Sequence, residues 1–434
     1  MAKHNLIYRY LAKIKERRRQ FALIQMFGGI LEYYDLFSLG FLFLYLLQVY
    51  SGHKLLVHGL AMITLTSYLF RPAGYKLCIW LTHHFTRKQI VHINSIAMVV
   101  SLSSIALIDI DEGHIYITLI LILLTRVIHG IAFGMKTQAN LAYIRYKYPN
   151  KKHFAIMNVI LGGQFGLSAA IIMNKLIINH FSIEQMTWAW RIPFLASGLV
   201  SIILYYFRLV LYTPNSDIKD RLTYLPINTI AMQNKAKIIP ALLIASARGT
   251  ITFTIFLVFP GTLYWRLGWN SSQIANIMLI PTIINTVITW QLKHSRVKQQ
   301  LRSTYLISGL ICLFPLSQYL KYAMSINNTS LIIVSISVIA VINGFLFIAI
   351  PRFLEQLFPE QIKLESMIFI HNYEYFGFNL LRGSFLLLAA TVFNLPLSLP
   401  IYLDLLIYSM WVFLVMAITA IYLLKKRTSV HASN

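Results

Sequence analysis

The sequence predicts an all-α polytopic membrane protein of about twelve transmembrane helices arranged in two six-helix halves. Three observations predict it. Apolar runs of spanning length recur along the whole chain, which is 57% hydrophobic and only 12% charged; a soluble domain is about a quarter charged. The connections between these runs alternate in charge. The two halves of the chain also repeat one local pattern.

Each run is close to the ~20 residues that a spanning helix needs. The expected spans are 21–49, 55–81, 90–108, 115–143, 153–178, 190–211, 238–266, 272–292, 303–320, 330–357, 365–394 and 398–424. "HHFTRKQ", "YRYKYPNKKH", "KHSRVKQQLR" and the C-terminal "KKRTSVHASN" are basic, whereas "IDIDEGH" is acidic and "FNLPLSLP" is uncharged. Basic connections belong on the cytoplasmic side, so both termini are expected in the cytoplasm. The basic segment 1–20 is read as a retained cytoplasmic N-terminus, held there by Arg17, Arg18 and Arg19. The apolar run after it is too long for a signal peptide and lacks a small-residue cleavage site.

Segment 213–237 is the longest polar stretch and divides the chain. It is expected to be a cytoplasmic linker between an N-terminal bundle at 21–212 and a C-terminal bundle at 238–424, with 425–434 as a tail. "KYPNKKHFAIMNVILGGQFG" follows the fourth run and "LFPEQIKLESMIFIHNYEYFG" follows the tenth. Each has an aromatic-Pro pair, a polar turn and a helix reaching Phe-Gly. With equal span counts, the echo indicates two parallel repeats, the architecture of major facilitator transporters.

The net charge of +24 lies mostly between the apolar runs and follows membrane orientation, so no nucleic-acid partner is expected. Cys78 and Cys312 lie far apart in apolar segments and imply neither a disulfide framework nor a zinc site. Adjacent His83 and His84 cannot converge on one ion without distortion, so no metal is expected there. No phosphate-cradling glycine loop, Walker sequence or nucleophile elbow occurs. Neither an enzyme nor an ATP-driven pump is expected; no cofactor is implied, and the energy source would be an ion gradient.

Specific stretches carry a family resemblance. "GGILEYYDLFSLGF" at 28–41, "RPAG" at 71–74, "RVIHGIAFG" at 126–134, "WAWRIPFLASG" at 188–198 and "LFPEQIKLES" at 357–366 stand in order along most of the chain. Together they resemble the metabolite–proton symporters of the major facilitator superfamily, the group of proline/betaine, α-ketoglutarate and shikimate transporters. The Trp-x-Trp-Arg-Ile-Pro-Phe match is the most specific. The resemblance breaks in the loop after the second span. Aligned from "RPAG", the usual glycines fall on Ile79 and Thr86, and the usual aspartate falls on His83. Only Arg87 and Lys88 remain of that pattern, so His83, Arg87 and Lys88 are the gating-loop candidates. The second copy is similarly eroded, with His294 near the aspartate position, and a family glutamate in the fourth span is Lys136.

Glu32 and Asp35 interrupt the first apolar run three residues apart, on one helical face. Ionisable groups inside a membrane usually face a cavity or a partner. Arg126, His129, Phe133 and Lys136 trace one face of the fourth span, with Gly130 and Gly134 as a close-packing edge. The fold implied by the repeats lines its cavity with the first and fourth spans. Asp35 or Glu32 is therefore expected to pair with Arg126, making Glu32, Asp35 and Arg126 the proton-coupling candidates. A fixed ion pair that only sets helix register is the other role open to them. Tyr33 and Tyr34 flank the carboxylates and join His129 and Lys136 as cavity candidates. In the second half His371, Glu374 and Arg382 fall near one face, with Arg248 in the seventh span; Glu374 can pair with Arg382 or Arg248. Pro72 and Gly74 are expected either to loosen the second span as a hinge or to serve helix packing, Lys76 to snorkel, and Arg191 to anchor the interface with Trp188 and Trp190.

The expected function is proton-coupled symport of a small polar metabolite (an amino acid, betaine or organic acid) by alternating access. The expected partners are solute, protons and lipid, and the chain is expected to be a monomer in the bacterial inner membrane. The alternative is a transporter-derived receptor or scaffold that has lost transport, motivated by the eroded loops.

Overall fold

The computed structural model describes residues 23–40, 66–110, 114–147, 152–182, 184–211, 234–294, 303–359, 362–374 and 410–425. The basic N-terminus, most of the expected linker, Arg382, the side chain of Arg87 and the C-terminal tail lie outside the described residues. Every expected span contains described helix. These are α1 (23–40), α2 (Arg71–His84), α3 (Arg87–Ser104), α4 (Ile115–Lys147), α5 (Lys152–His180), α6 (Ile192–Leu211), α7 (Lys235–Phe253), α8 (Ser271–His294), α9 (Ser303–Ser325), α10 (Thr329–Leu357), α11 (Lys363–Tyr373) and α12 (Met410–Lys425). Eight candidate spans among the described residues are long and apolar enough to cross a membrane, and no strand occurs among them. This is a multi-pass membrane protein.

Local sequence explains where the helices start and bend. Thr86 opens α3 with a capping box: its hydroxyl accepts from Gln89 N, and the Gln89 side chain accepts from Thr86 N. Asn328 caps α10 by accepting from Leu331 N. Residues 66–69 are helical, Phe70 is a turn, and the helix resumes as α2 with Pro72 in its first turn. Proline has no N–H to continue the earlier ladder, so the expected loosening occurs here. α7 runs into a π-helical turn at Thr254–Val258 before helix resumes at Phe259–Leu267. Pro260 cannot close the ordinary bond to the Phe256 carbonyl, and the wider turn accommodates that loss. Gly268, at φ 67°, ends this helix in the left-handed region.

Packing depends on small residues. α2 lies along α4, and α5 lies along α8. A Cβ on Gly74 would stand 2.0 Å from the Ile131 carbonyl oxygen, and one on Gly134 would stand 2.0 Å from that of Arg71. Backbones this close exclude any side chain, so Gly130 and Gly134 form the expected edge and α2 is their partner. That contact brings Arg71 alongside α1 and α4.

Candidate functional site

α1 and α4 hold the first charged group. Asp35 and Arg126 are buried and form a two-pronged ion pair: Arg126 Nη1 donates to Asp35 Oδ2, and Nη2 donates to Oδ1 at 3.3 Å. Of the two carboxylates expected to meet Arg126, Asp35 is the one that does. His129 Nε2 lies 3.7 Å from Asp35 Oδ2, and neither ring nitrogen has a hydrogen-bond partner among the described residues.

Glu32 lies one turn from Asp35 and meets Arg71 instead, at 3.2 Å, with both groups buried. Arg71 also covers the rings of Phe133, at 3.7 Å, and Tyr68, at 4.1 Å. Reading the sequence made Arg71 only the start of a hinge motif. Its place on the α1-facing side of a glycine-packed helix was the missed signal. Farther along α4, Lys136 donates to the Gly28 carbonyl and sits 5.0 Å from the Phe133 ring. Arg208 of α6, which sequence reasoning left out, is buried and donates to Ser95 of α3 at 2.9 Å.

The second half repeats the motif once. Arg248 Nη2 donates to both oxygens of Glu374, at 2.6 and 2.7 Å, and His371 Nδ1 lies 3.1 Å from the same carboxylate. Of the two partners open to Glu374, Arg248 fills the role among the described residues.

Aromatic rings separate the two charged groups. Phe133 stands 6.2 Å from the His371 ring, Tyr33 6.1 Å from Phe347, and Phe37 6.5 Å from Phe256. Tyr33 therefore packs between the halves, and Tyr34 is buried beside it. Tyr75 of α2 meets Phe369 and Tyr373 of α11 edge-on.

α5 and α8 run antiparallel and form a polar seam between the halves. Lys293 donates to Asn158, Asn285 donates to Gln164, Ser168 and Thr286 share a hydrogen bond of 2.8 Å, and Ser272 donates to Asn179 at 3.0 Å. Asn343 of α10 extends it to Asn285 at 3.1 Å. Sequence reasoning passed over these residues because it followed intramembrane charge, and all of them but Lys293, at the end of its helix, are uncharged. A double-mutant cycle on Gln164→Ala and Asn285→Ala should return a coupling of about 0.6 kcal/mol, the average for interhelical hydrogen bonds in a membrane. Unfolding of purified protein measures it, and a coupling of zero would leave the contact without energetic weight.

The gating-loop candidates stand apart. α2 continues through His84, so His83 and His84 occupy its last turn, and only Phe85 and Thr86 link it to α3. His83, His84 and Lys88 are exposed and form no ion pair among the described residues. Lys76 is exposed, as a snorkelling residue would be. Arg191 bonds the Ile108 carbonyl and Asp109 in the connection after α3, at 3.2 and 2.6 Å, and lies over Trp190 at 4.8 Å. It ties helix ends together, away from the charged groups.

No protein-family model matches the chain, and no curated protein matches it in sequence. Solved structures do match it. A D-xylose–proton symporter aligns with 93% of this chain and 96% of its own at a TM-score of 0.71 and 15% identity. The chain has the major facilitator fold. The xylose transporter of E. coli, in a partially occluded inward-open conformation, matches at a TM-score of 0.66 and 14% identity over 94% of this chain and 97% of its own. A bacterial homologue of the human lysosomal transporter Spinster, inward-facing and unoccupied, matches at 0.61 and 13% identity, with 94% and 96% covered. At such identities the likeness fixes the major facilitator fold and leaves the chemistry to the residues described above.

Proposed function

We propose that this chain is a secondary transporter that moves a small polar solute with protons by alternating access, with Asp35 as the proton carrier. The Asp35–Arg126 pair carries the reading. It is buried between α1 and α4 and has an ionisable His129 beside it. Protonating Asp35 cancels its charge and loosens the guanidinium; renewed pairing expels the proton. A carboxylate that alternates between these states can couple a proton gradient to a change in helix packing. Three similar folds support the reading: two are described as xylose transporters, one of them explicitly a proton symporter, and the third is a homologue of a lysosomal transporter. The sequence resemblance adds the metabolite–proton symporters, with an amino acid, betaine or organic acid as solute.

The test is proteoliposomes loaded with a pH-sensitive dye and challenged with sugars, amino acids, betaine and dicarboxylates. At least one solute should drive proton movement, and should accumulate when a pH gradient is imposed. Solute uptake without proton movement would remove the coupling, and no uptake from any class would remove transport. A receptor or scaffold that has lost transport is the second reading. It is favoured by the exposed His83, His84 and Lys88, which form no ion pair among the described residues. Binding of a solute without flux would select it.

A further inference from the structure

The charged residues between α1 and α4 form a ladder with three rungs. Positions 28, 32 and 35 of α1 share one face, at i, i+4 and i+7. On the first rung Asp35 meets Arg126, and on the second Glu32 meets Arg71. On the third, Lys136 and Arg208 meet Gly28, which has no side chain. A Cβ on Gly28 would stand 3.0 Å from Lys136 Cε, 3.3 Å from its ammonium and 3.6 Å from Arg208 Nη2, so the Lys136 stem itself lies against the glycine. Both cations thus converge on the place where a carboxylate would complete the pattern.

Lys136 is 3% exposed, and among the described residues its ammonium has a single hydrogen bond, to the Gly28 carbonyl. Among the described residues no carboxylate lies within 4.0 Å of it; the charge of Glu32 reaches it only from a distance, and Arg71 already holds Glu32. An ammonium has three donors. A buried cation with donors to spare and no ion pair is costly unless something anionic joins it. The ladder sets four basic side chains (Arg71, Arg126, Lys136 and Arg208) against two carboxylates, all of them buried.

We propose that Lys136, Arg208 and the bare face of Gly28 form an oxyanion site that takes a carboxylate or phosphate group of the carried solute. The site lies toward the helix ends that the basic connections mark as cytoplasmic, at the opposite end of the ladder from the proton pair. It rests on the transport reading and narrows its solute to an anion or a zwitterion. Two cations suit a group with two oxygens to offer.

The test uses purified full-length protein and its thermal midpoint with succinate, inorganic phosphate, xylose or chloride at matched ionic strength. Succinate or phosphate should raise the midpoint by at least about 2 °C, and xylose and chloride should not. Lys136→Gln should abolish that shift. Gly28→Asp places a carboxylate on the third rung, so it should raise the midpoint with no anion added and remove any further response. If Gly28→Asp does not fold, Lys136→Gln against wild type decides alone. The site is overturned if neither anion shifts the wild type, if the shift survives in Lys136→Gln, or if only phosphatidylglycerol stabilises the protein. A chain that fails here yet moves protons with an uncharged sugar loses the anion site and keeps its coupling.

Discussion

Asp35→Asn is expected to abolish gradient-driven accumulation while leaving the protein inserted and folded. Asparagine has nearly the shape of aspartate and still accepts a hydrogen bond from Arg126, so the α1–α4 contact survives. It mimics the protonated, uncharged state permanently. One pH unit across the membrane supplies about 1.4 kcal/mol per proton, which sustains a tenfold solute gradient. Without a titrating carboxylate that ratio should fall to one, while downhill exchange of the same solute persists. The measurement is accumulation in proteoliposomes at matched protein density, with solute counterflow as the control. Accumulation at the wild-type ratio would remove Asp35 from the mechanism and pass the role to Glu32 or Glu374, two further buried carboxylates held by arginines.

The sequence showed some of these groups and hid others for physical reasons. Spans were legible because hydropathy over ~20 residues is a property of composition, whatever the neighbours. Asp35 and Arg126 were legible because an ionised group in an apolar run requires a partner. Their pairing followed from helical periodicity and the expected adjacency of two helices. Arg71 was less legible. It begins a proline–glycine motif, so a hinge explained it, and only the glycine-packed contact of α2 with α4 turns it toward Glu32. Arg208 stands near the end of its span, where orientation alone accounts for a basic residue. Gln164, Asn285 and Asn343 carry no charge that demands a counter-ion, so their seam emerges only when α5, α8 and α10 meet. His83 and His84 were placed in a loop by analogy with a motif. With isoleucine at the expected glycine 79 and no proline, nothing interrupts α2 before Phe85.

Arg126→Ala should destabilise the protein more than Arg126→Lys does, and Asp35→Asn should rescue part of the loss. Truncating Arg126 leaves the buried Asp35 carboxylate without its guanidinium, beside His129, which lies 3.7 Å away and makes no hydrogen bond to it. Breaking a buried pair from one side costs about 3–5 kcal/mol, most of it from the stranded charge. Lysine retains the positive charge but not the planar fork that reaches both oxygens, so Arg126→Lys should fall between wild type and Arg126→Ala. In the double variant no charge is stranded, and the remaining cost is a buried amide next to a cavity. The expected order of thermal midpoints in detergent is therefore wild type, Arg126→Lys, the double variant, then Arg126→Ala. Transport should follow a different order, because the double variant recovers stability without recovering a titrating group. It should fold and still fail to accumulate solute. A double variant less stable than Arg126→Ala would show that the two side chains act independently, and the ion pair would then lose its place at the centre of the site.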